Sequence, residues 1–310
     1  MGSKDGKMLL VGDNPFHNIS HLSQERARVR GDAATYPQYA ANLIIISLEN
    51  GANGFMFSVS ETTLSILRVL REKRQVERLS LYAIVPYAYE YVRLANQVGG
   101  ITGIGKKFAK EIFFSRNIKA VGMGLKGVMG ADPISLMRTY LTYEILRIKS
   151  SAGKQANLHS IMLHQLITDM ALALDLEFLF KSYVDFMLEI GVAPGFNTGN
   201  FVYLVEKFRE WNIDMGQIRI SAPFNKVGFQ MTPSREECEM ALARLPQPIV
   251  IAISILAAGY LSPLDAVNYI ADLPNIKGVS VGVSKEKQAQ ETFSLLKTKI
   301  KQENSTAEVA

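Results

Sequence analysis

Short apolar runs recur along the chain, and between them apolar residues return at every third or fourth position. The runs are "MLLVG" (8–12), "GFMFSV" (54–59), "LSLYAIV" (79–85), "KAVGMGL" (119–125) and "HSIMLH" (159–164). They continue with "GVAPGF" (191–196), "QIRISA" (217–222), "IVIAIS" (249–254) and "GVSVGV" (278–283). Most are continuously apolar rather than alternating. That is the pattern of parallel strands covered on both faces.

The intervening stretches predict helices. "PQYAANLIIISLENG" ends on Gly51, a glycine suited to the position just past a helix terminus. "ETTLSILRVLREKR", "ISLMRTYLTYEILRIK", "LDLEFLFKSYVDFMLEIG" and "FVYLVEKFREWN" follow, the third of these stopping at Gly191. "SREECEMALARL" comes next. "SPLDAVNYIADL" begins with Ser262 as a candidate cap and Pro263 at the first helical position. "SKEKQAQETFSLLKTKIK" closes the series.

Each strand-then-helix unit takes roughly 30 residues, the rhythm of βα units. Repeated evenly over 310 residues, it predicts an α/β fold, the (β/α)8 TIM barrel. A doubly wound open sheet is the rival, but no G-x-G-x-x-G directly follows a strand. Nine strand candidates compete for eight places, so either 8–12 or 119–125 is expected to lie outside the ring. Residues 1–300 are expected to form a single barrel domain and 301–310, "KQENSTAEVA", a polar tail. The segment 88–118 exceeds a simple connection. It carries Gly99, Gly100, Gly103 and Gly105 before Lys106 and Lys107, which reads either as an anion-holding lid or as a glycine-capped loop between helices.

Composition narrows the function classes. The chain is 48% hydrophobic and 20% charged, ordinary for a globular protein. The net charge of +5 is dispersed, and the densest basic clusters (68–78 and 297–302) read as solvated helix faces. No aromatic-rich basic motif accompanies them, so no nucleic-acid partner is expected. The lone cysteine, Cys238, excludes an internal disulfide and any multi-cysteine cluster. No apolar run approaches a membrane span and no leader-like stretch opens the chain, so a cytoplasmic protein without membrane contact is expected, and a homodimer is an open possibility.

In barrels of this kind the reactive groups stand at the C-terminal ends of the strands. Those ends supply Asp13, Asn14, His17 and His21 after the first strand, Ser58, Ser60 and Glu61 after the second, and Tyr87 and Tyr89 after the third. Asp13, His17 and His164 are the catalytic candidates. His164 ends a hydrophobic strand, where an imidazole can donate a proton or polarise a carbonyl. Asp13 and His17 can form a carboxylate–imidazole pair, although Asp-Asn-Pro also simply makes a turn. The His-x-His strand signature of metal-dependent hydrolases is missing, and no metal is expected. Lys126 reads as a substrate-binding or Schiff-base lysine, or as a solvated rim residue. Asn197 and Asn225 are candidates for orienting substrate. Gly259 lets an anion approach backbone amides. Ser284 and Lys285 open the last helix, whose positive end would attract a phosphate.

The segments "HSIMLHQ", "GVAPGFNTGNFVYLVEKF", "QIRISAPFN", "PIVIAISILAAGYL" and "IKGVSVGVSKEKQAQETF", within residues 158–297, resemble the aldo/keto reductase barrel. The resemblance implies that His164 is the strand-end histidine of that family and that the "GVSK" loop grips a cofactor phosphate, with NADPH as the cofactor. The first half departs from it. Where those reductases carry an aspartate and a tyrosine after the second strand, and a lysine ending the third, this chain has "FMFSVSETT" and "AIVPY". The expected function is therefore an enzyme acting on a small anionic, possibly phosphorylated, metabolite at the barrel's C-terminal face. An NADPH-dependent oxidoreductase and a non-catalytic ligand-binding or scaffolding barrel are the alternatives.

Overall fold

The computed structural model describes residues 7–17, 32–87, 132–246 and 249–301. Eight parallel strands close into a ring in sequence order: β1 (Met8–Gly12), β2 (Gly54–Ser58), β3 (Ser80–Val85), β4 (Asn157–Leu163), β5 (Ala193–Asn197), β6 (Arg219–Pro223), β7 (Ile249–Ile253) and β8 (Ile276–Gly282). The last strand pairs with the first, Leu10 opposite Ser280 and Gly12 opposite Gly282. This is the (β/α)8 barrel expected from the apolar rhythm. The ninth candidate is resolved in favour of β1. β3 pairs directly with β4, Ala83 opposite Ile161, so the ring is complete without 119–125, which lies outside the described residues.

Nine α-helices accompany the strands among the described residues: α1 (Pro37–Glu49), α2 (Glu61–Glu72), α3 (Pro133–Ala152), α4 (Gln165–Ala173), α5 (Glu177–Glu189), α6 (Phe201–Glu210), α7 (Arg235–Ala243), α8 (Pro263–Asp272) and α9 (Glu286–Lys301). Their ends follow local chemistry. Ser60 and Thr63 form a reciprocal capping box at the start of α2. Ser262 caps α8 by accepting from the Asp265 N–H. Gly51 follows α1 at φ +117°, a conformation that suits glycine. One helix differs from expectation: the stretch from Leu174 is preceded by a separate helix, α4, that starts directly after β4. Asp175, at φ +53°, breaks the two apart.

Alternation along the strands sorts side chains into two cores. Leu10, Met56, Tyr82, Ile84, Met162 and Ile251 point inward and plug the barrel. Leu9, Val11, Phe55, Phe57, Ala83 and Ile161 point outward, against the helices. In the outer layer an aromatic cluster joins α5 and α6 to β5. There Phe196 packs 5.4 Å from Phe180 and 5.0 Å from Phe208, and Phe180 meets Trp211 at 5.2 Å. The buried Tyr183 hydroxyl donates to the Ile161 carbonyl at 2.6 Å and accepts from the Gly195 N–H, tying α5 to β4 and β5 together. Gly195 itself has no room for a side chain, since a Cβ would lie 2.6 Å from Met162 Cγ. These contacts fix the relative height of β4 and β5, whose ends carry His164 and Asn197.

Candidate functional site

At the C-terminal mouth of the ring is an open cavity of about 310 Å³. Met56, Ile84 and Ile253 give it an apolar floor, continuous with the inner plug. Its polar wall includes Asp13, His164, Gln165, Asn197, Gln230 and Gln288. No lysine or arginine lines it among the described residues.

Asp13 follows β1 and is nearly inaccessible. Its Oδ2 accepts the Ser58 N–H at 2.6 Å, which pins the carboxylate to the end of the neighbouring strand β2. The same oxygen accepts from His17 Nε2 at 3.1 Å. A single 3₁₀ turn, Asn14–His17, brings the imidazole back over the carboxylate, held there by the Phe16 N–H to Asp13 C=O bond. Tyr87, just past β3, stacks on the His17 ring at 4.8 Å. The Asp13–His17 pair thus exists as a built unit. Asp13 faces the cavity, and His17 stands behind it.

His164 caps α4. Its Nδ1 accepts the Leu166 N–H at 3.1 Å. Burial holds the imidazole below its ordinary pKa of 6.5, opposed by the charges of Asp13 and Asp169. The neutral ring with Nδ1 occupied as an acceptor must carry its hydrogen on Nε2. The side chain is therefore a fixed hydrogen-bond donor on the cavity wall. Behind it, burial raises the pKa of Asp169, while Thr198 Oγ1, the Gly199 N–H and the Gln165 amide donate to its carboxylate. This bracket joins α4 to the loop after β5.

The β7 side presents backbone. Ser254, Ala257, Ala258 and Gly259 all have positive φ, from 44° to 90°. Among the described residues the amides of Ile255 and Leu256 make no backbone hydrogen bond, and both residues line the cavity. Unpaired amides in such a turn make a cup for an anion. A Cβ on Gly259 would meet nothing within 4 Å, so the approach is open. At the start of α9 the arrangement differs from expectation. The Ser284 N–H donates to Gln288 Oε1 at 3.0 Å, so Gln288 caps Ser284 rather than Ser284 capping the helix. Lys285 is exposed and, like Ser284, stands outside the cavity wall, whereas Gln288 lines it.

The structure therefore gathers Asp13, His164, Asn197 and Gly259 around one space, with His17 adjacent. Asn197 Oδ1 is inaccessible to solvent and, among the described residues, has no hydrogen-bond partner. Asn225 stands apart: its amide donates to the Phe229 C=O at 2.8 Å and accepts the Phe229 N–H at 2.7 Å, closing a tight loop after β6. Lys126, His21, Tyr89 and the 88–118 segment lie outside the described residues. Gln230, Gln288 and Asp169 carry polar groups at or behind the wall that strand-end reading did not reach. Among the described residues no three His, Cys, Asp or Glu side chains gather as metal ligands. Within the same limits, no helix is long and apolar enough to cross a membrane.

No protein-family model matches the chain, and no curated protein sequence does. Solved structures do. The chain is similar to two structures of a putative aldo-keto reductase from Pseudomonas aeruginosa. One matches at TM-score 0.59 and 11% identity, the other at 0.57 and 12%, and in each case 94% of this chain and 90% of the other are covered. It is also similar to an aldo-keto reductase from Bacillus halodurans in its holo form, at TM-score 0.52 and 11% identity, covering 86% of this chain and 88% of the other. These likenesses show a shared (β/α)8 barrel fold.

Proposed function

We propose that the chain is an oxidoreductase that interconverts a small carbonyl compound and its alcohol in the barrel mouth, with NADPH as redox partner. The observation carrying this reading is His164. It ends β4 as a neutral imidazole whose free N–H faces the cavity, within electrostatic reach of Asp13. The aldo-keto reductase-like fold supports the same chemistry.

The residues present fit the anionic part of such a cofactor. The Ile255 and Leu256 amides and the open Gly259 would receive a phosphate, and Lys285, exposed at the start of α9, would add charge from outside. Bound there, NADPH supplies a hydride. The rest belongs to the chain. His164 Nε2–H donates to the carbonyl oxygen and stabilises the charge that grows on it. Asp13, fixed by Ser58 and His17, takes the alcohol proton in one direction and returns it in the other. This set departs from the tyrosine–lysine pair implied by the family resemblance: β2 ends in Ser58, and β3 is followed by Pro86 and Tyr87.

That departure favours a second reading, an enzyme working without nicotinamide on a small anionic, possibly phosphorylated, metabolite. Its anion would occupy the same amide cup. Titration of the purified chain with NADPH by calorimetry, alongside reduced-nicotinamide absorbance over a carbonyl panel, separates the two. Saturable NADPH binding with turnover of at least one carbonyl is expected. Absence of NADPH binding at millimolar concentration would remove the oxidoreductase and leave the second reading.

A further inference from the structure

We infer that the outward face of α4 is a self-association surface, on which two copies of this chain pair through antiparallel α4 helices. The inference holds whatever reaction the cavity performs.

Helix α4 carries its apolar stripe on the wrong side for a monomer. At about 100° per residue, Thr168 and Leu172 fall on one side, and both are buried. Leu166, Ile167 and Met170, with Leu174 just past the last turn, share an arc of about 100° on the opposite side, and they are 38–66% exposed. Phe178, half exposed in the first turn of α5, comes four residues later. Single apolar side chains on a surface are ordinary, but a stripe of them along the solvent side of one helix marks an interaction site. At about 200 Å² per side chain of this size, the five together expose roughly 500 Å². Two such faces pressed together bury about 1,000 Å², the lower bound for a specific interface.

The charges around the stripe select the partner. Asp169 accepts from Thr198 Oγ1 and the Gly199 N–H, Asp175 pairs with Lys207 at 2.8 Å, and Glu177 pairs with Lys181. Every charged side chain between 165 and 181 thus has a partner within its own chain. None is left over to recognise a complementary charge on a different protein. A lipid surface fits no better, because helices that lie on membranes carry several lysines or arginines beside the apolar face, and Lys181 is the one cation in this stretch. A second copy of the same apolar face needs no free charge. The order of the stripe agrees: Leu166, Met170 and Leu174 stand four residues apart and read the same in either direction. Antiparallel two-fold pairing sets Leu166 of each copy opposite Leu174 of the other, with Met170 facing its own symmetry mate. The pliable methionine thioether suits that central position. The seam would run beside the cavity, since α4 begins at His164, whose Nδ1 accepts the Leu166 N–H.

Sedimentation velocity of the full chain, from about 1 to 200 µM, is the test. A reversible dimer is expected. Met170→Glu, which sets two carboxylates face to face, is expected to raise the dimer Kd at least about thirtyfold. Leu166→Glu and Leu174→Lys alone are each expected to raise it about tenfold or more, while the two combined in one chain restore it to within about threefold, because each glutamate then meets a lysine of the other copy. Thermal melts check that all four variants fold, which the exposure of these positions favours. A chain that stays monomeric throughout overturns the inference, and its flotation with phosphatidylglycerol vesicles would assign the face to lipid instead. A dimer indifferent to Met170→Glu, or a double variant no better than its singles, overturns it as well. NADPH titration of the same samples reports separately on the oxidoreductase reading.

Discussion

Within the barrel, the same strands build two unlike regions. Toward the middle, the inward side chains are Leu10, Met56, Tyr82, Met162 and Ile251, all nearly inaccessible, and they fill the ring completely enough to act as a plug. Two or three residues further along, the strand ends supply Asp13, Ser58 and His164, with Asn197 from β5, and the space is open. The change from plug to site takes about one pleat. It depends on the fixed strand heights, because a side chain one step lower would be lost in the apolar layer. The lesson is that stability and chemistry here occupy separate storeys of the same ring, so changes in one should leave the other intact.

The largest expected effect tests that separation from above. Asp13→Asn should lower turnover by about a hundredfold to ten-thousandfold while leaving the unfolding midpoint nearly unchanged, since the amide oxygen can still accept the Ser58 N–H. Turnover within threefold of the parent would remove Asp13 from the proton path. From below, Met162→Ala should cost about 2–5 kcal/mol in urea unfolding with kcat/KM preserved near its parent value. If that variant instead keeps its stability and loses activity, the two storeys are coupled.

A smaller effect concerns pH. Burial favours the neutral form of His164 in the folded state, with a pKa below 6.5. Its contribution to stability is therefore in place above the unfolded value and lost as pH falls through the lower folded one. Activity should stay level through neutrality and fall only on the acid side of 6.5, where protonation also takes Nδ1 from the Leu166 N–H. His164→Gln should flatten that limb, and a pH profile unchanged by the substitution would speak against the assignment. The smallest effect lies outside the barrel. Ser262→Ala removes the acceptor for the Asp265 N–H and should cost about 1 kcal/mol, with no change in catalysis.

The strands were legible because parallel staves covered on both sides must be apolar throughout, and eight such runs became β1–β8. Helix α4 was not legible as a separate element. Its Leu166, Ile167 and Met170 are exposed, so its apolar positions do not mark a buried face. Asp13 and His164 could be read from strand ends alone, since their placement needs only one turn of local chain. Asn225 looked equivalent to Asn197 by the same rule. What separates them is a loop-closing pair of hydrogen bonds to Phe229 that no periodicity reveals. Gln230 and Gln288 reach the wall from a loop and from a helix far along the chain. Their part in the site depends on closure of the whole ring, which spacing cannot encode.

The seam between β1 and β8 places the earliest and latest strands side by side, Met8 opposite Gly278. During synthesis, β1 through β7 emerge before their closing partner exists. Until then β1 and β7 each present an unpaired edge, the sort of template on which chains aggregate. Ribosome-bound chains halted before Ile276 should therefore hold together less well than the number of completed strands suggests, and chaperone demand should fall sharply once the final βα unit has cleared the exit tunnel.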